Sequence, residues 1–400
     1  MNHRNKHRFF FGIVFGLLFL CLVLTSGCKG KTKLSKGVDL VKKGDYAQAV
    51  KTLNQALKQD SLNAEIHYNL SFAYAHLDSM KKAMLHYLFL VDTVSPYQDS
   101  VQIREMLGVA LGLDPYTTSL ITMGKINQFK GVFSPKAETI ALAAAKRDVA
   151  KIYLINLDGS TIEIASRRGM NTDPDYSPIG DKIVFTSDQD GNEEIYLYEI
   201  KSKNLTRLTN YPRQDYSPSF SPDGSEIVFV SNMDDQYKWE VYKMSLKTLK
   251  PKRLTSNVYW DGFPRYSADG KYITFSSRRN GSEDIYIMNS NGSGEKVLYQ
   301  TTANENDATL INDELFFKSD QNGDWEIYRY NLSTRQLTRL TNNKYPDWNP
   351  RISRDASRLL VARKIKNRWQ LMYVNLKNPL PAELLAEKIR EHLSIKTDGR

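Results

Sequence analysis

Between Met123 and Lys377 one fingerprint recurs six times: an apolar-Thr pair, a loop, an aromatic-Ser-Pro-like turn and an Ile-Tyr strand. The turn centres fall at Phe133, Tyr176, Phe220, Tyr266, Leu310 and Ile352, with spacings of 43, 44, 46, 44 and 42 residues. A near-constant period marks stacked copies of one small unit that cannot bury its apolar face alone, and this length is that of a propeller blade. Each copy reads as four short strands. FSPDGSEIVFVSN (220–232) and WEVYKM (239–244) are the clearest, preceded by NLTRLT (204–209). Alternating apolar pairs such as Ile227/Phe229 and Ile285/Ile287 mark half-buried strands, and Pro222-Asp223-Gly224 and Asp190-Gly191 supply the tight turns.

Spacing also predicts how the ring closes. Twelve residues before the later turn centres stand Ile164, Leu208, Leu254, Leu298 and Leu340, and the same offset before Phe133 lands on Ile121. The last copy runs into Asn378-Pro379-Leu380-Pro381 where one more outer strand is due. The segment around Ile121 is therefore expected to complete the last of six blades, which removes two open sheet edges.

The aromatic-Ser-Pro-Asp-Gly turn of Phe220 to Gly224 and the Glu194-Ile195-Tyr196 pattern resemble the WD40-like PD40 repeats of TolB-type six-bladed propellers. Copies five and six depart from it, with Asn312-Asp313-Glu314 and Arg354-Asp355-Ala356 in place of the full turn. Those blades are expected to be the irregular ones.

The N-terminus carries Arg4, Lys6 and Arg8, an apolar run from Phe9 to Leu24, then Thr25-Ser26-Gly27-Cys28. A basic segment, an apolar core too short to span a bilayer and small residues describe a signal peptide. With its terminal cysteine it resembles a bacterial lipoprotein signal, although Thr25 stands where leucine is usual. The resemblance implies acylation of Cys28, and Lys29 after it implies the periplasmic side of the outer membrane. The only other cysteine is Cys21 within the apolar run, so no disulfide or CxxC metal site is expected. The formal charge is +10, with basic residues scattered through the blades rather than gathered on one face, so nucleic acid is not expected as a partner. Lys29, Lys31, Lys33 and Lys36 sit where anionic head groups would attract them.

From Leu34 to Asp114 the period becomes helical, in two copies offset by 34 residues. Gly37, Ala49 and Ala56 are matched by Ser71, Ala83 and Leu90, and Leu53 by Tyr87. Small residues where helices cross, with a bulky one beside them, resemble the tetratricopeptide repeat, most specifically in GDYAQAVKTLNQAL (44–57). A helix from Val101 to Leu113 is expected to cap these repeats, stopping before Asp114-Pro115. Tyr68, Asn69 and Phe72 are expected to face a partner-binding groove. A helix over 382–393 with Leu385, Ile389 and Leu393 on one stripe is expected to dock on its parent domain.

The fold class is thus multidomain, a short all-α helical-repeat module followed by an all-β six-bladed propeller. The divisions are 1–27 signal peptide, 28–115 helical repeats, 116–381 propeller, and 382–400 C-terminal helix and tail.

Catalytic signatures are missing from the sequence. There is no G-x-S-x-G. The histidines past the signal, His67, His76, His86 and His392, all fall in helical segments, whereas metal lyases with related propellers use blade histidines. Asp188 to Glu193 and Asp320 to Asp324 look like calcium loops but lack the terminal glutamate spacing and read as hairpin turns. No enzyme activity, cofactor or metal is expected. One constellation remains. Five residues before each turn centre stand Gln128, Asn171, Asp215, Asp261, Glu305 and Asp347, with Tyr216, Phe263 and Trp348 close by. Either these polar side chains cap their own loops, or Asp215, Asp261, Glu305 and Asp347 with the three aromatics form a negative partner-binding mouth of the channel. The expected function is that of a lipid-anchored envelope scaffold binding other periplasmic or outer-membrane proteins or peptides, the class of partner the resemblance implies. A carbohydrate-binding or glycan-cleaving propeller is the alternative.

Overall fold

The computed structural model describes residues 32–93, 101–121, 126–136, 138–156, 160–165 and 169–397. The expected signal segment and Cys28 lie outside them. Two compact units are present, divided between Asp99 and Ser100. No helix among the described residues is long and apolar enough to cross a membrane.

In the first unit α1 (Lys33–Lys42), α2 (Tyr46–Leu57), α3 (Ala64–His76) and α4 (Met80–Thr93) form two successive hairpins. Thr32, Asp45 and Asn63 side chains accept from the backbone N–H of Ser35, Gln48 and Ile66, each at 3.2 Å. These caps satisfy donors that a helix start leaves open. The 34-residue offset is realised as contact. Ala49, Leu53 and Ala56 are buried in one copy and Ala83, Tyr87 and Leu90 in the other, and Ser71 Oγ donates to the Ala83 carbonyl at 3.0 Å. A Cβ on Gly37 would stand 2.5 Å from Leu53 Cδ2. Alanine normally favours a helix over glycine by about 1 kcal/mol, but here the fully buried Leu53 has nowhere to move. Gly37→Ala should therefore lower the unfolding free energy of the repeats by roughly 1–2 kcal/mol, read as faster hydrogen exchange of the α1 and α2 amides.

The second unit holds six four-stranded antiparallel sheets. Their inner strands are Asn127–Phe133, Asn171–Tyr176, Asp215–Phe220, Asp261–Tyr266, Glu305–Ile311 and Asp347–Ile352, defining blades one to six. The ring closes as the spacing predicts: Tyr116–Ile121 is the outer strand of blade six, with Ile121 opposite Leu371 and Ser119 opposite Tyr373. Blades five and six are complete, contrary to expectation. Asn312 opens a shorter turn in blade five, and Ala356 takes the place of the turn glycine in blade six. Both adopt φ +53°, the region that Gly224 fills at +73°.

The Ile-Tyr strand recurs for a packing reason. Within blades two to five the tyrosine lies against a phenylalanine of the neighbouring strand, Phe185–Tyr196, Phe229–Tyr242, Phe275–Tyr286 and Phe317–Tyr328, with centroids 5.6–6.0 Å apart. The acid before it is a lock. Glu240 accepts from Thr255 Oγ1 at 2.6 Å, Arg253 Nη2 at 2.6 Å and the Asn257 N–H at 2.8 Å. Glu194 and Glu326 repeat this with Thr209 and Arg207, and with Thr341 and Arg339. The apolar-Thr pair of the fingerprint is the other half of that lock.

The helix expected to cap the repeats, α5 (Val101–Ala110), belongs instead to the propeller unit. It packs on α6 (Ala382–Thr397) and on the strand Arg368–Pro379. Its Arg104 donates to the Leu380 carbonyl at 3.0 Å, and buried Glu105 receives the Tyr116 hydroxyl and faces Arg329 at 3.7 Å. Leu385 and Ile389 of α6 are fully buried, as their stripe predicts.

Candidate functional site

Each inner strand breaks register at one equivalent residue, Lys130, Asp173, Ser217, Phe263, Asp307 or Asn349, all with φ between +51° and +53°. A bulge with a non-glycine residue in the left-handed region costs about 1 kcal/mol or more, and strain of this kind gathers at functional positions. Here it brings side chains of neighbouring blades together. Lys130 Nζ pairs with Asp173 at 2.5 Å, and Asp307 Oδ1 holds Arg351 at 2.9 Å and Arg265 at 3.3 Å. Burial alone would raise the Asp307 carboxyl, but Arg351 and Arg265 outweigh it and hold the group below its usual range. Asp175 is raised by burial against the pull of Arg265. At the turn end of the channel Asp175, Arg265, Arg351, Ser219, Thr309 and Val132 line a cavity of about 430 Å³.

The four acids expected at the opposite mouth are not there. Asp215, Asp261, Glu305 and Asp347 are each 0% exposed, so none meets a partner directly. Asp261 accepts from Asn257 at 2.7 Å and Arg279 at 2.8 Å, and Glu305 from the Thr301 N–H at 3.0 Å. Asp347 accepts from Asn343 at 3.0 Å and from Arg363 through both oxygens at 2.8 Å. Three of them thus cap their own entry loops. Gln128 and Asn171 are buried likewise. The aromatic part of the expectation fares differently: Tyr216, Phe263 and Trp348 are half-buried on that mouth, and they belong to a larger array.

All five tryptophans of the chain join it. Trp239 packs on Tyr216 at 4.9 Å, whose hydroxyl accepts from Trp260 Nε1 at 3.2 Å; Trp260 meets Phe263 at 5.6 Å. Trp325 meets Trp348 at 6.0 Å, and Trp348 meets Trp369 at 5.5 Å. Lys318 joins the two halves, its Nζ lying 4.0, 4.6 and 5.8 Å from the centroids of Trp348, Trp325 and Phe263. Gly262 is glycine because a Cβ there would run into the Trp260 indole. Around this array Tyr237 is 82% exposed and Val258 71%, with Tyr259 also exposed. Sequence reasoning missed Trp239, Trp260, Trp325, Trp369 and Lys318. A signal was present, since tryptophan directly precedes the Glu-Val/Ile-Tyr motif at both Trp239 and Trp325.

In the repeats, Tyr68 and Phe72 are half-buried, Phe72 lying 4.3 Å from His76 in a stack with Tyr46. Asn69 is not a free groove residue: it is 5% exposed and donates to the Glu65 carbonyl at 2.8 Å, because α3 is covered by both of its neighbours. Unforeseen in the sequence is a pair of histidines, with His86 Nδ1 3.0 Å from His67 Nδ1 and His67 Nε2 3.0 Å from the Ser61 carbonyl. Burial and then His67 lower His86 to about 4.

One buried group in each unit responds to acid, and the two do so with opposite signs. A neutral His86 stabilises the repeats above the unfolded histidine pKa of about 6.5, and this is lost as pH falls towards 4. In the propeller, burial raises Asp215 to about 7, with Glu194 adding to the rise and the Ser231 and Thr209 hydroxyls moderating it. Its folded pKa exceeds the unfolded value, so its contribution is present in acid and lost as pH rises through 7. Asp215→Asn should therefore raise propeller stability at pH 8 by about 1–3 kcal/mol and change little at pH 4, measured by denaturant unfolding at both pH values.

Residues 112–261 and 236–399 match the family model described as TolB beta propeller domain, and residues 37–78 match a TPR repeat model. A Helicobacter pylori Tol-Pal system protein TolB is 26% identical over 229 residues, covering 55% of this chain and 43% of that protein. An uncharacterised protein of Agrobacterium fabrum is 30% identical over 105 residues, 25% of this chain and 34% of that protein. The chain thus spans less than half the length of these curated relatives. Among solved structures, one from Agrobacterium tumefaciens provisionally described as TolB superposes with TM-score 0.51 at 18% identity, over 66% of this chain and 94% of that one. That likeness supports the propeller fold.

Proposed function

Because the chain belongs to the TolB beta propeller domain family, we propose that it is a lipid-anchored scaffold of the cell envelope, holding other envelope proteins on its propeller and its helical repeats. The observation that carries this reading is the aromatic mouth with its apolar rim. Monomeric proteins seldom expose contiguous apolar surface without a partner for it, and tryptophan, tyrosine and arginine dominate binding hot spots. Tyr237, Val258 and Tyr259 stand outermost, ready to be buried. Tyr68 and Phe72 offer a smaller aromatic surface on the repeats. In this reading the protein has no catalytic step and works by binding.

A photo-crosslinking residue placed at Tyr237 or Tyr259 in cells tests it, followed by mass spectrometry of the captured chains. One recurrent set of envelope proteins is the expected result. Absence of any specific adduct at both positions would remove the reading.

Anchoring through acylated Cys28 at the periplasmic side of the outer membrane is part of the same proposal, supported by the order of basic, apolar and small residues before that cysteine. Two or more acyl chains hold a protein on a bilayer firmly. Cys28→Ser should release the protein from membranes and block removal of the leader, both visible by fractionation and gel mobility. Normal processing with unchanged membrane association would refute the anchor.

A further inference from the structure

One residue before each turn centre, the six inner strands place Val132, Asp175, Ser219, Arg265, Thr309 and Arg351, and all six line the cavity at the turn end of the channel. Beneath them Asp173, Ser217 and Asp307 are buried and line none of it, so the cavity of about 430 Å³ is closed below and open towards the turns. Arg265 and Arg351 come from blades four and six, with Thr309 of blade five between them. Asp307 Oδ1 holds both guanidiniums from below, Arg265 through Nε and Nη2 at 3.4 and 3.3 Å and Arg351 through Nη1 at 2.9 Å. Among the described residues, Arg265 Nη1, Arg351 Nε and Nη2 and the Thr309 hydroxyl have no acceptor, and none of these atoms is sealed from the cavity. Two guanidiniums against one carboxylate leave a positive charge at the floor, and Arg354 stands exposed at the rim. Asp175 faces them from blade two. Its carboxyl accepts the Phe220 N–H at 2.8 Å and is raised by burial against the pull of Arg265, so it opposes the arginines only weakly.

We propose that this end of the channel is a carboxylate site: one carboxyl group, carried by a small organic acid or by the free C-terminus of a chain, seats on Arg351 and Arg265 with the Thr309 hydroxyl donating to it. Nε and Nη2 of Arg351 form the edge of a guanidinium that meets both oxygens of a carboxylate at once. The charge fits a single negative group. A doubly charged phosphate would leave the poorly hydrated cavity negative, and a neutral amide would leave the spare positive charge without an anion. Because the cavity is a dead end, a chain enters it by its terminus and not as a passing strand, and the arginines select the carboxyl terminus over the amino one. The inference is independent of the protein-scaffold reading, which rests on the aromatic mouth at the other end.

The test is isothermal titration calorimetry of the full-length protein with propionate, propionamide, acetyl-Gly-Gly-Ser bearing a free carboxylate, and the same peptide amidated. At least one acid is expected to bind saturably and about tenfold or more tighter than its own amide, the gain of one charge-assisted pair. A peptide acid that binds tighter than propionate assigns the site to chain ends, and the reverse or equal affinity assigns it to small acids. Arg351→Met should erase the preference for acid over amide. That change also takes a partner from Asp307, so Thr309→Asp gives a second reading should the first variant fail to fold. It sets a carboxylate of the chain itself between the two guanidiniums and should abolish acid binding, with melting temperature confirming the fold. No saturable binding of either acid, equal affinity of acid and amide, tighter binding of inorganic phosphate than of both acids, or acid binding unchanged in either folded variant would each overturn the inference.

Discussion

A chain lacking residues 1–121 should aggregate, or melt roughly 10 °C or more below one lacking only residues 1–99. The shorter deletion keeps α5, Asp114 and the strand Tyr116–Ile121. The longer one strips the outer strand from blade six, exposing the whole edge of Arg368–Pro379 that it covers. An open edge is a template for pairing with other chains. The deletion also uncovers the surface around Tyr116, which is 2% exposed and packed among Leu359, Val361 and Val374. It removes Asp114, which accepts from the Asn342 N–H at 2.8 Å and from Arg363. Differential scanning calorimetry and light scattering of the two chains decide it. Equal melting temperatures would mean that closure through this strand contributes nothing.

That closure was legible in the sequence because it depends only on spacing: Ile121 keeps the offset that Leu208 and Leu340 keep. The repeat pairs Gly37/Ser71 and Ala49/Ala83 were legible for the same reason. What spacing does not reveal is the side of a strand. Asp215 and Tyr216 are adjacent, and successive residues of a strand face opposite ways. The first points between blades and is fully buried, while the second points to the mouth. Reading both as mouth residues ignored the pleat. The turn signals misled in a similar way in blades five and six, where Asn312 and Ala356 take a backbone conformation that glycine would have announced. The place of Lys318 beneath the tryptophans is one step further removed, since it arises from cross-strand register within a single blade, opposite Asn306, and has no counterpart in the other copies.

Arg363→Met should be the most damaging single substitution in the propeller, lowering its unfolding free energy by about 3–5 kcal/mol. Arg363 is buried and lies where chain start meets chain end. Its Nε and Nη2 grip both oxygens of Asp347 at 2.8 Å, and its Nη1 reaches Asp114 Oδ2 at 2.8 Å. One guanidinium thus balances the carboxylate that caps the last entry loop and the carboxylate just before the closing strand. Methionine fills most of the volume but leaves two carboxylates facing each other with little water, and an uncompensated buried charge costs far more than the intact pair contributes. Arg363→Lys should recover only part of the loss, because a single ammonium does not reproduce the two parallel bonds to Asp347. The pH dependence separates charge from packing. In Arg363→Met the stranded Asp347 carboxyl, already raised by burial with the arginine in place, titrates further above its unfolded value, so the deficit should be largest at pH 8 and shrink as pH falls below about 5, where protonation relieves it. Denaturant unfolding of both variants at pH 5 and pH 8 measures this. A deficit of the same size at both pH values would assign the effect to lost packing around the side chain, and no deficit at all would remove Arg363 from the closure of the ring.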